Sequence, residues 1–200
     1  MAKQKTTGLL SKPELETRYD REAWLHTALE VLSREGQAKL RTERIARDLG
    51  VTRGSFYHHF KNRQTFVLAL VDYWARLFTE QTNSVVAETG KSAEERLLFL
   101  MRLIRDNRLD RHDISFRSWA AQDPEVAEKV REVDKLRYKF VRDLFVEIGF
   151  TGDDLEERVR MFLVYESAQH TVYFPQRSRH IKNSVETRFA ILTREKTTRR

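Results

Sequence analysis

Apolar residues return every three or four positions from Leu15 to Leu192, and no stretch alternates cleanly with period two. A half-buried strand needs that alternation, so the pattern selects helices. Helix breakers are scarce, with 7 Gly and 3 Pro in 200 residues. An apolar share of 40% is enough for a buried core. The expected fold class is all-α, with about nine helices at this periodicity.

Breakers and caps divide the chain. Residues 1–13 are basic and polar, end at Pro13, and read as a flexible arm. A helix is expected from Glu14 to Glu35, stopped by Gly36. Two short helices follow. Thr42 is placed to cap Glu43–Leu49, Gly50 ends it, and Thr52 is placed to cap Arg53–His59. Their link is only Gly50-Val51-Thr52, which forces a steep crossing. Asn62 caps a long helix from Arg63 to about Gln81, and Val85–Lys91 reads as a loop. Ser92 with Glu95 forms a capping box. A short helix is expected over Asp113–Gln122. Asp123-Pro124 opens a longer one, which Gly149 closes. Asp153 or Asp154 opens another, running through Val172 to Pro175. A last helix carries Ile181, Val185, Phe189 and Leu192, and residues 196–200 form a basic tail. The organisation read from this is an arm (1–13), an N-terminal three-helix domain (14–62) with its motif at 41–60, and a helical C-terminal domain (63–195).

Charge is concentrated at one end. The chain carries 34% charged residues and a net charge of +7. Seven cations stand against Glu43 and Asp48 between Gly36 and Arg63, and Lys3, Lys5 and Lys12 precede the first acid, Glu14. A basic segment of this kind suits a polyanion. There are no cysteines, which excludes disulfides, thiolate metal sites and thiol nucleophiles. No apolar run nears the roughly 18 residues that span a bilayer. The N-terminus lacks the apolar segment of a signal peptide. These points suggest a cytoplasmic protein.

A short cationic helix braced on both sides can lie in the major groove of double-stranded DNA. With Phe56 and Phe60 packed inward at i, i+4, the second short helix offers Arg53, Ser55, Tyr57, His58 and His59. Arg53 lies in the first turn, where a guanidinium can take guanine O6 and N7 together. Gly54 lets the backbone come close. Tyr57, His59, Lys61 and Arg63 are donors suited to backbone phosphate, the helix starts at Thr42 and Thr52 favour it too, and Arg44 is expected in the same DNA-binding set.

The run Thr42-Glu43-Arg44-Ile45-Ala46-Arg47-Asp48-Leu49-Gly50-Val51-Thr52-Arg53-Gly54-Ser55-Phe56-Tyr57-His58-His59-Phe60 resembles the tetracycline-repressor (TetR) family of transcription regulators. The resemblance covers about Arg18 to Phe78, with Ala28-Leu29, Gly36 and Asn62-Arg63 also matching. Arg63 stands where the family usually has lysine, which keeps the charge and changes the reach. The resemblance implies a three-helix DNA-binding domain and a larger domain that dimerises through its last two long helices. It also implies repression released when a small molecule moves the long helix after Arg63. The expectation is thus a ligand-responsive repressor acting as a homodimer on a palindromic operator. The alternative is a small-molecule-binding or interaction module whose helix-turn-helix is only architectural.

Other constellations are weaker. Trp74, Phe78, Phe116, Arg117, Trp119, Tyr165, Gln169 and His170 are candidate pocket residues, with plain core as the competing reading of the aromatics. Phe162, Ile181, Val185, Phe189 and Leu192 are candidate dimer contacts or intramolecular packing. Glu166 and His170 stand at i, i+4, a spacing that suits a metal, with His112-Asp113 as further candidate ligands. Such pairs are common on ordinary helices, and no metal is expected. Adjacent His58 and His59 point about 100° apart and chelate poorly. No catalytic constellation is present, so neither an enzyme nor a cofactor is expected beyond an unidentified small-molecule effector.

Overall fold

The computed structural model describes residues 20–173 and 184–194. The arm 1–13, the expected helix start before residue 20, Pro175, Ile181 and the tail 196–200 lie outside the described residues, as does the His170 side chain. Among the described residues there are nine helices and no strand.

The first three helices are α1 (Arg21–Glu35), α2 (Thr42–Leu49) and α3 (Gly54–His59). Asp20 starts α1, its carboxylate accepting from the Ala23 amide at 2.8 Å. Gly50 ends α2 in the left-handed region, φ 72° and ψ 31°. The Gly50 amide donates to the Arg47 carbonyl at 3.1 Å, and the Val51 amide to Ala46 at 2.9 Å. This doubly bonded helix end reverses the chain in three residues, and it needs a residue that tolerates positive φ.

Two expected caps are corrected. Arg41, not Thr42, occupies the cap position of α2, because its extended backbone leaves its carbonyl to accept from Arg44 and Ile45. Thr42 is already in the first turn. Arg53 is helical, φ −56° and ψ −31°, and makes no side-chain cap bond. Thr52 holds the start of α3 through its carbonyl, which accepts from the Ser55 amide at 3.1 Å.

Helix α4 spans 63–87 and joins the N-terminal bundle to the body. Asn62 caps it, accepting from the Thr65 amide at 2.8 Å. The expected loop at Val85–Lys91 is corrected. The helix continues to Ala87, with Val86 fully buried, because no breaker intervenes before Gly90 at φ 63°. Within it, Arg76–Glu80 winds as a π-turn, the Gln81 amide reaching the Arg76 carbonyl. Such a turn inserts one residue and turns the following face, here placing Phe78 and Thr79 in the core.

The body contains α5 (Ala93–Asn107), α6 (Asp113–Ala120), α7 (Pro124–Ile148), α8 (Gly152–Ala168) and α9 (Ser184–Thr193). Ser92 and Glu95 form the expected capping box on α5. Asp123 caps α7, accepting from the Glu125 and Val126 amides at 3.0 and 3.2 Å. Thr151, rather than Asp153 or Asp154, is the cap of α8. The two acids fall in the first turn, where they favour the helix dipole. Helix α8 stops at Ala168, short of Val172, where a tight turn over Gln169–Thr171 takes over. Helix α7 packs on α4, α5, α6 and α8, and α9 packs on α5.

The buried apolar cluster runs unbroken from Trp24 to Leu192. His112 marks the joint between bundle and body. It is fully buried, with its ring edge against Phe78 at 4.6 Å. Its Nε2 accepts from the Arg111 guanidinium at 2.9 Å, so the proton sits on Nδ1, which pairs with the Ser33 hydroxyl of α1. Arg111 also donates to Glu30 of α1 at 2.6 Å. Burial, then Arg111 and His26, push the His112 pKa down from 6.5 to about 3.

A histidine held neutral in the fold but protonated when unfolded stabilises the protein above its unfolded pKa. That stability is lost as the pH falls from there toward the folded value. The thermal midpoint should therefore drop between pH 7 and 5. His112→Phe should flatten that dependence in a pH series of melting curves. An unchanged slope would remove His112 as its source.

Candidate nucleic-acid interface

The candidate surface starts from a buried aromatic cluster. Phe56 of α3 meets Trp24 at 5.5 Å, Phe60 at 5.2 Å and Phe66 at 5.4 Å between ring centroids. Phe60 meets Phe66 at 4.9 Å. All four rings are buried. Their packing rotates α3 so that its other side faces solvent.

That side brings Arg41, Thr42, Arg53, Tyr57, Lys61 and Arg63 around one concave patch. Arg53, Gly54, Tyr57 and His58 are exposed, and Ser55 and His59 are half-buried. Tyr57 is 58% exposed, with its ring edge-on to Phe56 at 5.3 Å. Arg53 is paired with Glu43 of α2 at 3.1 Å. A hydrogen bond with Tyr57, then Glu43, raises its pKa further. Both partners hold the guanidinium over the mouth of the patch, and an incoming anion or guanine would exchange with Glu43. Arg63 reaches back to the Leu40 carbonyl at 3.5 Å, the limit of a hydrogen bond.

Arg44 departs from the expected set. It lies outside the patch, in a separate groove with Arg34 and Arg111. Its guanidinium is committed to Asp48 at 2.8 Å and Glu35 at 3.0 Å, so it ties α2 to the end of α1. Arg41 is the residue that sequence reasoning missed. It sits at the start of α2, exposed, beside Arg53 in the patch. Its signal was present in the charge count of the segment.

The candidate pocket residues scatter. A cavity of about 50 Å³ lies between α4, α5, α7 and α8. Of the candidates whose side chains are described, Phe78 alone lines it. Trp74 stacks on Phe116 at 4.5 Å in the core, and Trp119 is buried beside them. Arg117 pairs with Asp134 at 2.7 Å. Tyr165 is exposed under the Arg188 guanidinium. Gln169 donates to Asp110, a cavity residue, at 3.3 Å. Thr82, Asp110, Asp113, Arg137 and Glu166 supply the polar lining instead. They come from separate helices, and no local spacing announces them. Among the described residues no group of His, Asp and Glu has metal-binding geometry.

The candidate dimer residues are also redistributed. Phe162, Val185 and Leu192 are buried in the chain's own core, so they present nothing to a partner. Phe189 is half-buried against the same core. The exposed apolar residues of α8 and α9 are Met161, Val164, Tyr165 and Ile191. No helix among the described residues is long and apolar enough to cross a membrane.

Comparison with known proteins agrees with this geometry. Residues 25–70 match the model of the tetR family of bacterial regulatory proteins. A stretch of 64 residues is 42% identical to the class C tetracycline repressor protein of Escherichia coli. That stretch is 32% of this chain and spans only 28% of the repressor. The fold is similar to that of a TetR transcriptional regulator from Legionella pneumophila, with a TM-score of 0.71 at 11% identity, covering 92% of this chain and 97% of that one. It is also similar to AibR in complex with isovaleryl coenzyme A and operator DNA, with a TM-score of 0.63 at 21% identity, covering 88% and 96%.

Gly54 separates folding from contact. It is exposed, and a Cβ there would meet only the Thr52 hydroxyl at 3.6 Å, an ordinary contact. Gly54→Ala should leave the melting midpoint unchanged or raised, since alanine favours helix. Its DNA affinity in a gel shift should fall about tenfold. Unchanged affinity would show that the α3 backbone does not approach DNA closely.

Proposed function

We propose that this chain, whose residues 25–70 match the model of the tetR family of bacterial regulatory proteins, is a ligand-responsive transcriptional repressor that binds a palindromic operator as a homodimer. The observation that carries this reading is the exposed cationic patch around α3, held by the aromatic cluster beneath it.

On this reading α3 enters the major groove of double-stranded DNA. Arg53 reads a base edge, with Ser55, His58 and the backbone at Gly54 alongside. Thr42, Thr52, Tyr57, His59, Lys61, Arg63 and Arg41 take phosphates or line the groove. Arg44 braces α2 from behind. The protein would work in the cytoplasm, where the chromosome is.

Release by ligand has a physical route. Phe78 lines the cavity and packs on His112. His112 and Arg111 hold Ser33 and Glu30 of α1. The segment Leu109–His112 opens on Arg108, which stands at φ 49° without being glycine. Strain of that kind, about 1–3 kcal/mol, persists only where the surroundings impose it. A ligand that displaces Phe78 or Asp110 thus shifts α1 and the reading helix together. AibR, whose fold this chain shares, was seen with both isovaleryl coenzyme A and operator DNA.

Two measurements test the reading. Arg53→Ala should lose about 1–3 kcal/mol of discrimination between operator and random DNA, while Lys61→Ala weakens both alike and lowers the salt slope by about 1. Equal loss on both DNAs for Arg53→Ala would contradict base reading. The dimer is proposed to use Met161, Val164 and Ile191. Val164→Glu should then shift sedimentation at micromolar protein from dimer to monomer, with helicity retained. A wild-type monomer would contradict the homodimer.

A further inference from the structure

The cationic patch around α3 holds one charged residue that phosphate binding does not use. Among the described residues lining the patch, Arg41, Arg53, Lys61 and Arg63 are cations and Glu43 alone is an acid. Glu43 stands exposed in the first turn of α2, with its Oε1 3.1 Å from Nη1 of Arg53. Arg53 also donates to Tyr57. The side chains of the pair are 62% exposed for Arg53 and 59% for Glu43. A pair so exposed contributes little to stability, so other partners can replace either end. The dipole of α2 favours an acid on any side of its first turn, and this one faces the patch.

For a surface that only grips phosphate, Glu43 is a cost. It offsets one of four cations and repels the DNA backbone. A phosphate offers acceptors alone. If Arg53 leaves for a phosphate, Glu43 stays behind without a donor and beside a second anion. The major groove offers both kinds of group. Guanine presents O6 and N7 to a guanidinium, and cytosine presents its N4 amino group to a carboxylate. Adenine also has an amino group, but its N7 acceptor stands beside it and repels a carboxylate, so cytosine is the better partner. The 3.1 Å between the two charged ends is close to the roughly 3.4 Å rise from one base to the next. Arg53 and Glu43 come from different helices, so they can address neighbouring base pairs.

We propose that Glu43 is a second base-reading residue: as Arg53 turns to guanine, the Glu43 carboxylate accepts from the N4 amino group of a cytosine in the adjacent base pair. The inference rests on the DNA-binding reading above. One ion pair is exchanged for two base contacts only where guanine and cytosine stand in neighbouring pairs. On other sequences the exchange leaves a carboxylate without a donor, so Glu43 acts by exclusion as well as by attraction.

The test is a gel-shift series with the duplex that the full chain selects, its single-pair variants and random DNA. For wild type, replacing the cytosine by thymine sets an O4 acceptor and a methyl group before the carboxylate and should weaken binding about tenfold or more. Glu43→Ala should lose that preference for cytosine, keep the preference for guanine, and bind random DNA severalfold more tightly. Opposite effects on selected and random DNA are a signature that a merely structural role does not give. Glu43→Gln loses the charge and keeps a carbonyl acceptor, so it should retain part of the cytosine preference and show the same gain on random DNA. Unchanged base preferences in Glu43→Ala would overturn the proposal, as would equal weakening on every duplex. Either result, with Arg53→Ala still losing guanine, removes Glu43 and leaves the regulator reading standing. A wild-type chain that selects no sequence would overturn both together.

Discussion

The aromatic contact of Phe56 with Trp24, Phe60 and Phe66 fixes everything that follows in the N-terminal bundle. Helix α3 has only six residues, too few to be stable by its own hydrogen bonds. It exists because one side is buried among rings from α1 and α4. Burying an aromatic of this kind is worth about 3–5 kcal/mol on truncation to alanine. The same packing decides which residues stay outside, so Arg53 and Tyr57 face solvent because Phe56 and Phe60 do not.

A second joint links that bundle to the body. His112, Arg111 and Phe78 connect the cavity to α1 through one buried ring, one ion pair and one aromatic edge. The π-turn at Arg76–Glu80 sits at this level of α4 and turns Phe78 and Thr79 inward. Irregular winding here has a positional consequence, since Thr79 accepts from Arg137 and Phe78 closes the cavity. Packed joints with discrete arrangements transmit small shifts, whereas deformable loops absorb them.

Much of this was legible in the sequence. Period, glycines and caps located the helices, and the inward pair Phe56 and Phe60 was readable from i, i+4 spacing alone. Local rules failed where backbone geometry outranked side-chain type, as at Thr42 and Thr52, whose hydroxyls were displaced as caps by Arg41 and by the Thr52 carbonyl. They failed again at Val85–Lys91, where tertiary burial of Val86 extended α4 through polar residues. The cavity lining was illegible because Thr82, Asp110, Arg137 and Glu166 meet only in three dimensions. The apolar residues of α8 and α9 were visible. Which of them face the core and which face out, Phe162 against Val164, depends on a helix phase that only packing fixes.

The central claim is that α3 reads a specific sequence in two symmetric copies. Selection of bound duplexes from a random pool by the full chain tests it most directly. The account predicts enrichment of a two-fold symmetric sequence with half-sites separated by about one turn of DNA, roughly 10 base pairs, or a multiple of it. A pool that stays random while salt-sensitive binding persists would contradict it, leaving only a cationic surface that adheres to phosphate.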